Sequence, residues 1–454
     1  MAHDTAPALN GPRPAGANLF LRSVPGLVGL SFLVLMLVAC LGTLPWTLRQ
    51  VADAGTLAQG PGRSTAPAFD DQNRAAQLLP PSWLPSSWVY DDQRERASAL
   101  ALDNALRAMA DDQGVTIETL LAVRLAKQKD AGAMAIVAER LKRPAAELER
   151  LRTEPTDQEL RAGATHYLMG TDLLGRSVLT RVLVGGGISL LIGLAAATLS
   201  VTIGVLYGAL AGYVGGRVDG VMMRVVDVLY GLPYILLVVL LAVAVDAALD
   251  NWQASRGAAV QQQIQAYVDA RANELGPSQR TPETLERLRI DARARLGTGE
   301  LSDWQVQAIN VVTLLVAIGG VSWLTMARVI RGQVLSLKAQ PFVEAARAIG
   351  VSPAGIFVRH LLPNLVGPIV VYATLTVPQA ILQESFLSFL GIGVKPPLPS
   401  WGNLASQGLQ ELNTIRSNWW LLVFPCLMLG MTLLALNFVG EGLREAIDPK
   451  RRGR

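Results

Sequence analysis

Six long apolar runs constrain this chain more than any other feature. They fall at roughly 25–45, 188–211, 222–246, 308–328, 365–390 and 419–439. About 20 mostly apolar residues suffice for a helix to cross the hydrocarbon core of a bilayer. In lipid, every backbone N–H and C=O needs a partner inside the protein, so runs of this length predict helices. The first run is too long for a cleavable leader, follows a polar stretch and lacks a small-x-small site before Pro45, so it is read as a span. Hydrophobic residues make up 51% of the chain and charged residues 17%, against about 25% charged in an average soluble domain. The expected class is an all-α integral membrane protein with six transmembrane helices.

Lysine and arginine near the span ends set the expected orientation. With the N-terminus inside, the internal segments hold Arg13 and Arg22; Arg217 and Arg224; Arg328, Arg331, Lys338, Arg347 and Arg359; and Arg444, Lys450, Arg451, Arg452 and Arg454. The short external loop 391–418 holds only Lys395 and Arg416. The chain then divides into a cytoplasmic tail (1–24), a first span (25–45), an extracytoplasmic insertion (46–187) and a core of five spans (188–450). Within that core lie a second extracytoplasmic insertion (247–307) and a cytoplasmic loop (341–363).

Both insertions read as helical. Residues 50–92 are rich in Pro, Gly, Ser and Asp, which predicts irregular chain, but from 93 to 163 Ala, Leu, Arg and Glu dominate and predict three or four short helices. Pro144 can open one of these, and Thr156 with Glu159 forms a capping box. In the second insertion Thr281 caps, Pro282 starts and Gly297 stops a helix. Ser302 with Gln305 caps the one that leads into the fourth span.

Chemistry-bearing patterns are absent from the sequence. No GxxxxGK[ST], HExxH, CxxC pair or GxSxG occurs. Cys40 and Cys426 lie within apolar runs, and His3, His166 and His360 are scattered, so no catalytic or metal site is expected. The net charge of +4 comes without a basic-aromatic groove for nucleic acid.

The loop at 341–363, PFVEAARAIGVSPAGIFVRHLLP, has the pattern of two stubby helices. Gln340-Pro341 opens the first, whose Ala345, Ala346 and Ile349 make a small smooth face, and Gly350 supplies a left-handed stop. Ser352 caps the second, Pro353 starts it, and the helix is expected to end before Pro363. Glu344, Ala345, Ala346, Gly350, Ile356, Leu362 and Pro363 resemble, position by position, the "EAA" loop of permease subunits of binding-protein-dependent ABC importers. Residues 166–181, HYLMGTDLLGRSVLTR, match a GTDxxGRDxxxR pattern through Gly170, Thr171, Asp172, Gly175, Arg176 and Arg181, with Ser177 in place of an Asp. That pattern, with GYVGGRVDGVMMRVVD at 212–227, ESFLSFLGIGVKPPLPSWG at 384–402 and LALNFVGEGLREAIDP at 434–449, resembles the C-type permeases of dipeptide and oligopeptide importers. The resemblance covers about 166–246 and 308–450.

The resemblance implies a type I importer permease of the bacterial inner membrane, with both termini cytoplasmic. It implies two cytoplasmic ABC ATPase subunits, a related but non-identical second permease and a periplasmic substrate-binding protein. Such a chain is not an enzyme and binds no cofactor, because the partner subunits use the ATP and magnesium. Dipeptides or oligopeptides are the expected cargo, with nickel, a peptide-like antibiotic or an opine as alternatives on the same fold. A stand-alone channel or secondary transporter is the rival from another class, and the near absence of acids and bases inside the spans speaks against it.

Glu344, Ala345, Ala346, Arg347, Gly350, Ile356 and Pro363 are the expected ATPase-coupling residues. Glu344 also complements the helix dipole of its own first turn. Polar residues within spans are functional candidates, so Gln379, Gln383, Glu384 and Asn437 are candidates for the translocation path; bonding to a second permease is the other reading of Glu384. Asp172 is expected to cap a helix lying at the outer membrane surface, with Gly170, Gly175 and Arg176 as part of it. Pro233 and Pro378 are expected to interrupt the third and fifth spans.

Overall fold

The computed structural model describes residues 20, 23–47, 50–52, 65–67, 69–70, 72–118, 120–121, 155–275, 280–297, 302–412 and 417–447. The cytoplasmic tail and the helix expected at Pro144 fall largely or wholly outside the described residues. The chain divides into two compact units, one of Met1–Leu41, Gly185–Ser406 and Cys426–Arg454, the other of Gly42–Val184 and Gln407–Pro425.

Among the described residues the architecture is all-α apart from one two-stranded antiparallel ribbon, β1 (Gln50–Ala52) with β2 (Thr65–Pro67). The helices are α1 (Val24–Gly42), α2 (Asp91–Asp112), α3 (Asp157–Gly163), α4 (Val178–Val214), α5 (Gly216–Tyr230), α6 (Tyr234–Glu274) and α7 (Pro282–Leu296). There follow α8 (Asp303–Lys338), α9 (Pro341–Ala348), α10 (Pro353–Ile356), α11 (Leu362–Phe389), α12 (Trp401–Gln410) and α13 (Trp420–Ile447). Among the described residues six helical runs are long and apolar enough to cross a membrane: α1, α4, α6, α8, the run Pro353–Phe389, and α13.

The third span is interrupted at Pro233 as expected, whereas the fifth is not interrupted at Pro378. The run at 222–246 is divided, because Pro233 has no N–H and cannot continue the ladder, so α5 ends at Tyr230 and α6 starts at Tyr234. Helix α6 then runs 41 residues without a break, about 60 Å at 1.5 Å per residue, roughly twice the hydrocarbon thickness. Its far half pairs with α7 through Ile264, Val268 and Ala292. Thr281 accepts a hydrogen bond from the Thr284 N–H, Pro282 opens α7 and Gly297 leaves it at φ +77°, as read from the sequence. Pro378, by contrast, lies buried inside an unbroken α11.

Helix–helix contact in the larger unit relies on absent side chains. Gly204, Gly208 and Gly212 recur every four residues on α4 and press on α8. A Cβ at Gly208 would stand 2.3 Å from the Ala327 carbonyl oxygen, and one at Gly204 2.5 Å from the Met326 Cβ. Such small-xxx-small stripes let helices approach closely in lipid, where no hydrophobic drive joins them. Gly29 does the same for α1 against Ala435 of α13. One buried cluster joins Ile192, Ala196 and Ala197 of α4, Val238 and Ala242 of α6, Leu314, Ala317, Ile318 and Val321 of α8, and Ala380 of α11. Charge ties α5 to α8: Arg331 pairs with Asp219 through both carboxylate oxygens, and Arg328 reaches Asp227 at 2.9 Å with its guanidinium 4.0 Å from the Tyr230 ring centre.

In the smaller unit α2 packs along α3. Asn104 donates to the Gly163 carbonyl at 2.9 Å. The capping box of α3 is present in both directions: Glu159 N–H donates to Thr156 Oγ1 at 3.3 Å, and Thr156 N–H to Glu159 Oε2 at 2.6 Å.

Candidate functional site

The 341–363 loop is built by its caps. Pro341 occupies the first position of α9, where a missing N–H costs nothing. The helix closes in a Schellman motif: the Val351 N–H donates to the Ala346 carbonyl and the Gly350 N–H to the Arg347 carbonyl, each at 3.1 Å. Gly350 sits at φ +84°, the left-handed conformation the motif requires. Ser352 Oγ then accepts from the Gly355 N–H at 3.2 Å and starts α10.

The second helix does not end before Pro363 as expected. It passes through one π turn, Phe357–Leu361, directly into α11. The Leu362 N–H donates to the Phe357 carbonyl, five residues back. Pro363 has no N–H for the Arg359 carbonyl and would crowd it, so the wider turn just before it lets the helix continue. The loop is therefore rigidly continuous with the fifth span.

The loop has two faces. Val343, Ala346 and Ile356 are buried and pack with Ala209 of α4, Met326, Ile330 and Val334 of α8, Leu361 of the π turn, and Leu365 beyond the loop. Phe342, Glu344, Ala345, Arg347, Ile349, Gly350 and Pro363 are exposed, and Ile349 keeps 81% of its surface. Of the residues singled out from sequence, Ala346 and Ile356 thus face the chain's own core, while Glu344, Ala345, Arg347, Gly350 and Pro363 face outward. Phe342 and Ile349 join the outward set; an isoleucine placed immediately before a left-handed glycine is the sequence signal for the second.

Gln379 and Gln383 lie one turn apart on α11 and line a cavity of about 380 Å³ with Tyr230, Leu232, Leu324 and Thr325. Ser322 Oγ donates to Gln383 Oε1 at 3.3 Å. Glu384, the next residue on α11, does not line this cavity. It is fully buried among hydroxyls: Ser388 donates at 2.7 Å and Ser385 at 3.3 Å, with Ser189 and Ser400 also in hydrogen-bonding reach. Ser388 in turn accepts from the Val394 N–H at 3.0 Å, so the carboxyl anchors the turn that follows α11. Asn437 is exposed on α13 and stands apart from the cavity.

The 166–177 stretch is not a helix. Gly170 and Gly175 both have φ +75°, and α4 begins only at Val178. Asp172 caps no helix; its carboxylate folds a turn, accepting from the Leu174 and Arg176 N–H groups at 2.9 and 3.0 Å. It also receives Arg176 Nε at 2.8 Å and Arg181 Nη1 at 2.7 Å, while Arg176 Nη1 reaches Asp70 at 2.6 Å. A Cβ at Gly175 would fall 1.7 Å from the Asn73 carbonyl oxygen, so only glycine fits there. The match to GTDxxGR thus marks a buried ionic turn, in which each charge has a partner as burial demands.

Residues 204–453 match the family model described as "Binding-protein-dependent transport system inner membrane component". The oligopeptide transport system permease protein OppC of Escherichia coli (strain K12) is 55% identical over 143 residues, 32% of this chain and 46% of that protein. The dipeptide transport system permease protein DppC of Bacillus subtilis (strain 168) is 45% identical over 140 residues, 31% and 43% of the two chains. The glutathione transport system permease protein GsiD of Escherichia coli O1:K1 / APEC is 40% identical over 144 residues, 32% and 46%. The chain spans about half the length of the curated relatives it matches. The family match takes in α5 to α13, including the two-faced loop and the glutamine cavity. This multi-pass membrane protein belongs to the family of binding-protein-dependent transport system inner membrane components.

Proposed function

We propose that this chain is a transmembrane subunit of an ATP-driven importer that carries dipeptides or oligopeptides across the bacterial inner membrane. One observation carries the reading: the 341–363 loop buries one face in its own bundle and leaves Phe342, Glu344, Ala345, Arg347 and Ile349 bare on the other. A bare apolar knob with adjacent charges, held by caps on a rigid loop, suits a protein partner. The partner is an ATPase subunit, which supplies ATP and magnesium chemistry that this chain has no motif for. Two such ATPases, a related second permease and a periplasmic binding protein complete the assembly. The chain itself holds no cofactor, and both termini and the loop are cytoplasmic.

Transport proceeds by alternating access. Closure of the ATPases on ATP displaces the loop. Because α10 runs through the π turn into α11, and α8 ends two residues before α9, the displacement tilts both spans. Gln379 and Gln383 move with α11 and offer neutral amides that can donate to and accept from a peptide backbone without demanding a charged side chain. The names of the relatives favour peptide cargo over nickel, an antibiotic or an opine, since glutathione is itself a small peptide.

Two loop variants test the reading. Glu344→Ala removes the outward carboxylate; Gly350→Ala forces a Cβ into the left-handed conformation, at a cost of about 1–2 kcal/mol, with open space around it and so no clash. Both are expected to abolish uptake of labelled peptides while the protein remains inserted at wild-type level. Normal uptake by both rejects the coupling role.

A further inference from the structure

We infer that Tyr213 is a positioning residue that carries loop movement into α4, a span the loop is not joined to in sequence. The inference rests on the coupling reading above and extends it. The loop is covalently continuous with α8 and α11, so those two spans follow it by connectivity alone. Helix α4 ends more than a hundred residues earlier and meets the loop through space: by Ala209 in the loop's buried cluster, by its glycine stripe on α8, and by its last turn. Tyr213, in its last turn, supplies three contacts.

The Tyr213 hydroxyl donates to the Pro353 carbonyl at 2.6 Å. That carbonyl belongs to the first residue of α10, immediately after the Ser352 cap, so the bond holds the loop where its second helix begins. The Tyr213 ring packs on Phe357, first residue of the π turn, at 5.4 Å between centres. Lys338 closes the arrangement from α8. Its ammonium donates to the Gly212 and Tyr213 carbonyls at 3.2 and 2.6 Å, where cations suit a helix C-terminus, and lies 5.5 Å from the Tyr213 ring centre. The end of α4 is thus pinned to both sides of the loop.

Directly beyond it the helix axis breaks at two glycines. Gly215 and Gly216 both have positive φ, +72° and +58°, and a Cβ on Gly216 would meet nothing within 4 Å. Two consecutive left-handed glycines form a joint between α4 and α5. A load applied at Tyr213 enters α4 just before this glycine pair, so the angle between α4 and α5 is where its effect is read.

The test uses the full complex, reconstituted in nanodiscs with its ATPases, sister permease and binding protein. Spin labels go on two exposed positions, Leu206 of α4 and Val228 of α5, in a background with Cys40 and Cys426 replaced. The distance between them is read by electron-electron resonance with and without ADP-vanadate, which needs no knowledge of the cargo. Wild type is expected to show a nucleotide-dependent shift. Tyr213→Phe, which keeps the ring and loses the hydroxyl, should shrink it, and Tyr213→Ala should abolish it, with complex assembly intact. An unchanged shift in both variants, or none in wild type, overturns the inference. Ile349→Glu, read in parallel as release of the ATPase, separates the two claims. If it releases the ATPase while the Tyr213 variants behave as wild type, only the role of Tyr213 falls. If the ATPase stays bound, the coupling reading falls with it.

Discussion

Replacing Gly208 by alanine tests how this bundle is held together. Residue 208 lies midway in the glycine stripe of α4, over the backbone of α8. Its Cβ would stand 2.3 Å from the Ala327 carbonyl oxygen and 3.0 Å from that residue's Cα. The obstruction is main chain, so no side chain can swing aside. Restoring ordinary contact means withdrawing α8 by about 1 Å, a gap at which each contact along the seam forfeits a quarter to a half of its dispersion energy. Overpacking of this kind costs about 1–3 kcal/mol, whereas the gain in helix propensity from glycine to alanine is about 1 kcal/mol. The net expectation is destabilisation by up to about 2 kcal/mol.

Gly332 provides the control. It lies in α8, and a Cβ there would meet nothing within 4 Å. Gly332→Ala should therefore collect the propensity gain alone, up to about 1 kcal/mol. Thermal unfolding of the detergent-solubilised protein, followed by tryptophan fluorescence, should show a lower midpoint for Gly208→Ala and an equal or higher one for Gly332→Ala. Propensity alone would move both upward. A Gly208→Ala protein as stable as Gly332→Ala would refute the close-contact account of α4 on α8.

Two further outcomes follow from the fold. The Arg331 guanidinium, hydrogen-bonded to Asp219, holds its carboxyl below the usual range, and burial only partly opposes this. A depressed folded-state value means that the pair stabilises above the unfolded carboxylate value, about 3.9, and that this is lost as pH falls through the lower folded value. Wild type should thus melt above Asp219→Asn at neutral pH and converge with it below about pH 4; a constant difference across pH would contradict the pairing. Deleting residues 252–300 should leave all six spans inserted, measured by fractionation and protease protection, because the α6–α7 pairing is self-contained; failure to insert would mean that the hairpin shapes the bundle.

What could be read from sequence was local. Periodicity and length gave the spans, and cap chemistry gave ends of α3, α7, α9 and α10, because Thr156, Thr281, Gly350 and Ser352 act on backbone groups within a few residues. What escaped was set by partners distant in sequence. Asp172 looks like a helix cap until Arg181 is beside it and Arg176 is held between it and Asp70, about a hundred residues away. Glu384 looks like a path residue until Ser189 and Ser400 are in reach. The uninterrupted run of α6 to Glu274 escaped for another reason: once outside the hydrocarbon, polar residues hide a continuing helix from hydropathy, although no glycine or proline ends it before Gly276 except the tolerated Gly257. Pro363 misled because a proline normally marks a stop, whereas a π turn before it accommodates the missing donor.

The division of the loop into two faces bears on which of its residues act together. Val343, Ala346 and Ile356 are fixed by Ala209, Ile330, Val334 and Leu365, so a polar substitution there unseats the loop from its bundle before any partner is involved. Phe342, Glu344, Arg347 and Ile349 touch little of their own chain, and their substitution should leave the fold alone and change only what binds. Helix α8, 36 residues or about 54 Å long, begins beside the α6–α7 hairpin and ends at the loop. Along the way it meets the glycine stripe of α4, the acids of α5 and the cavity glutamine Gln383. A helix seated so closely against three others cannot shift at one end alone. A displacement entering at Ala339 would therefore be felt at the contacts with α4 and α11 as well as at the loop.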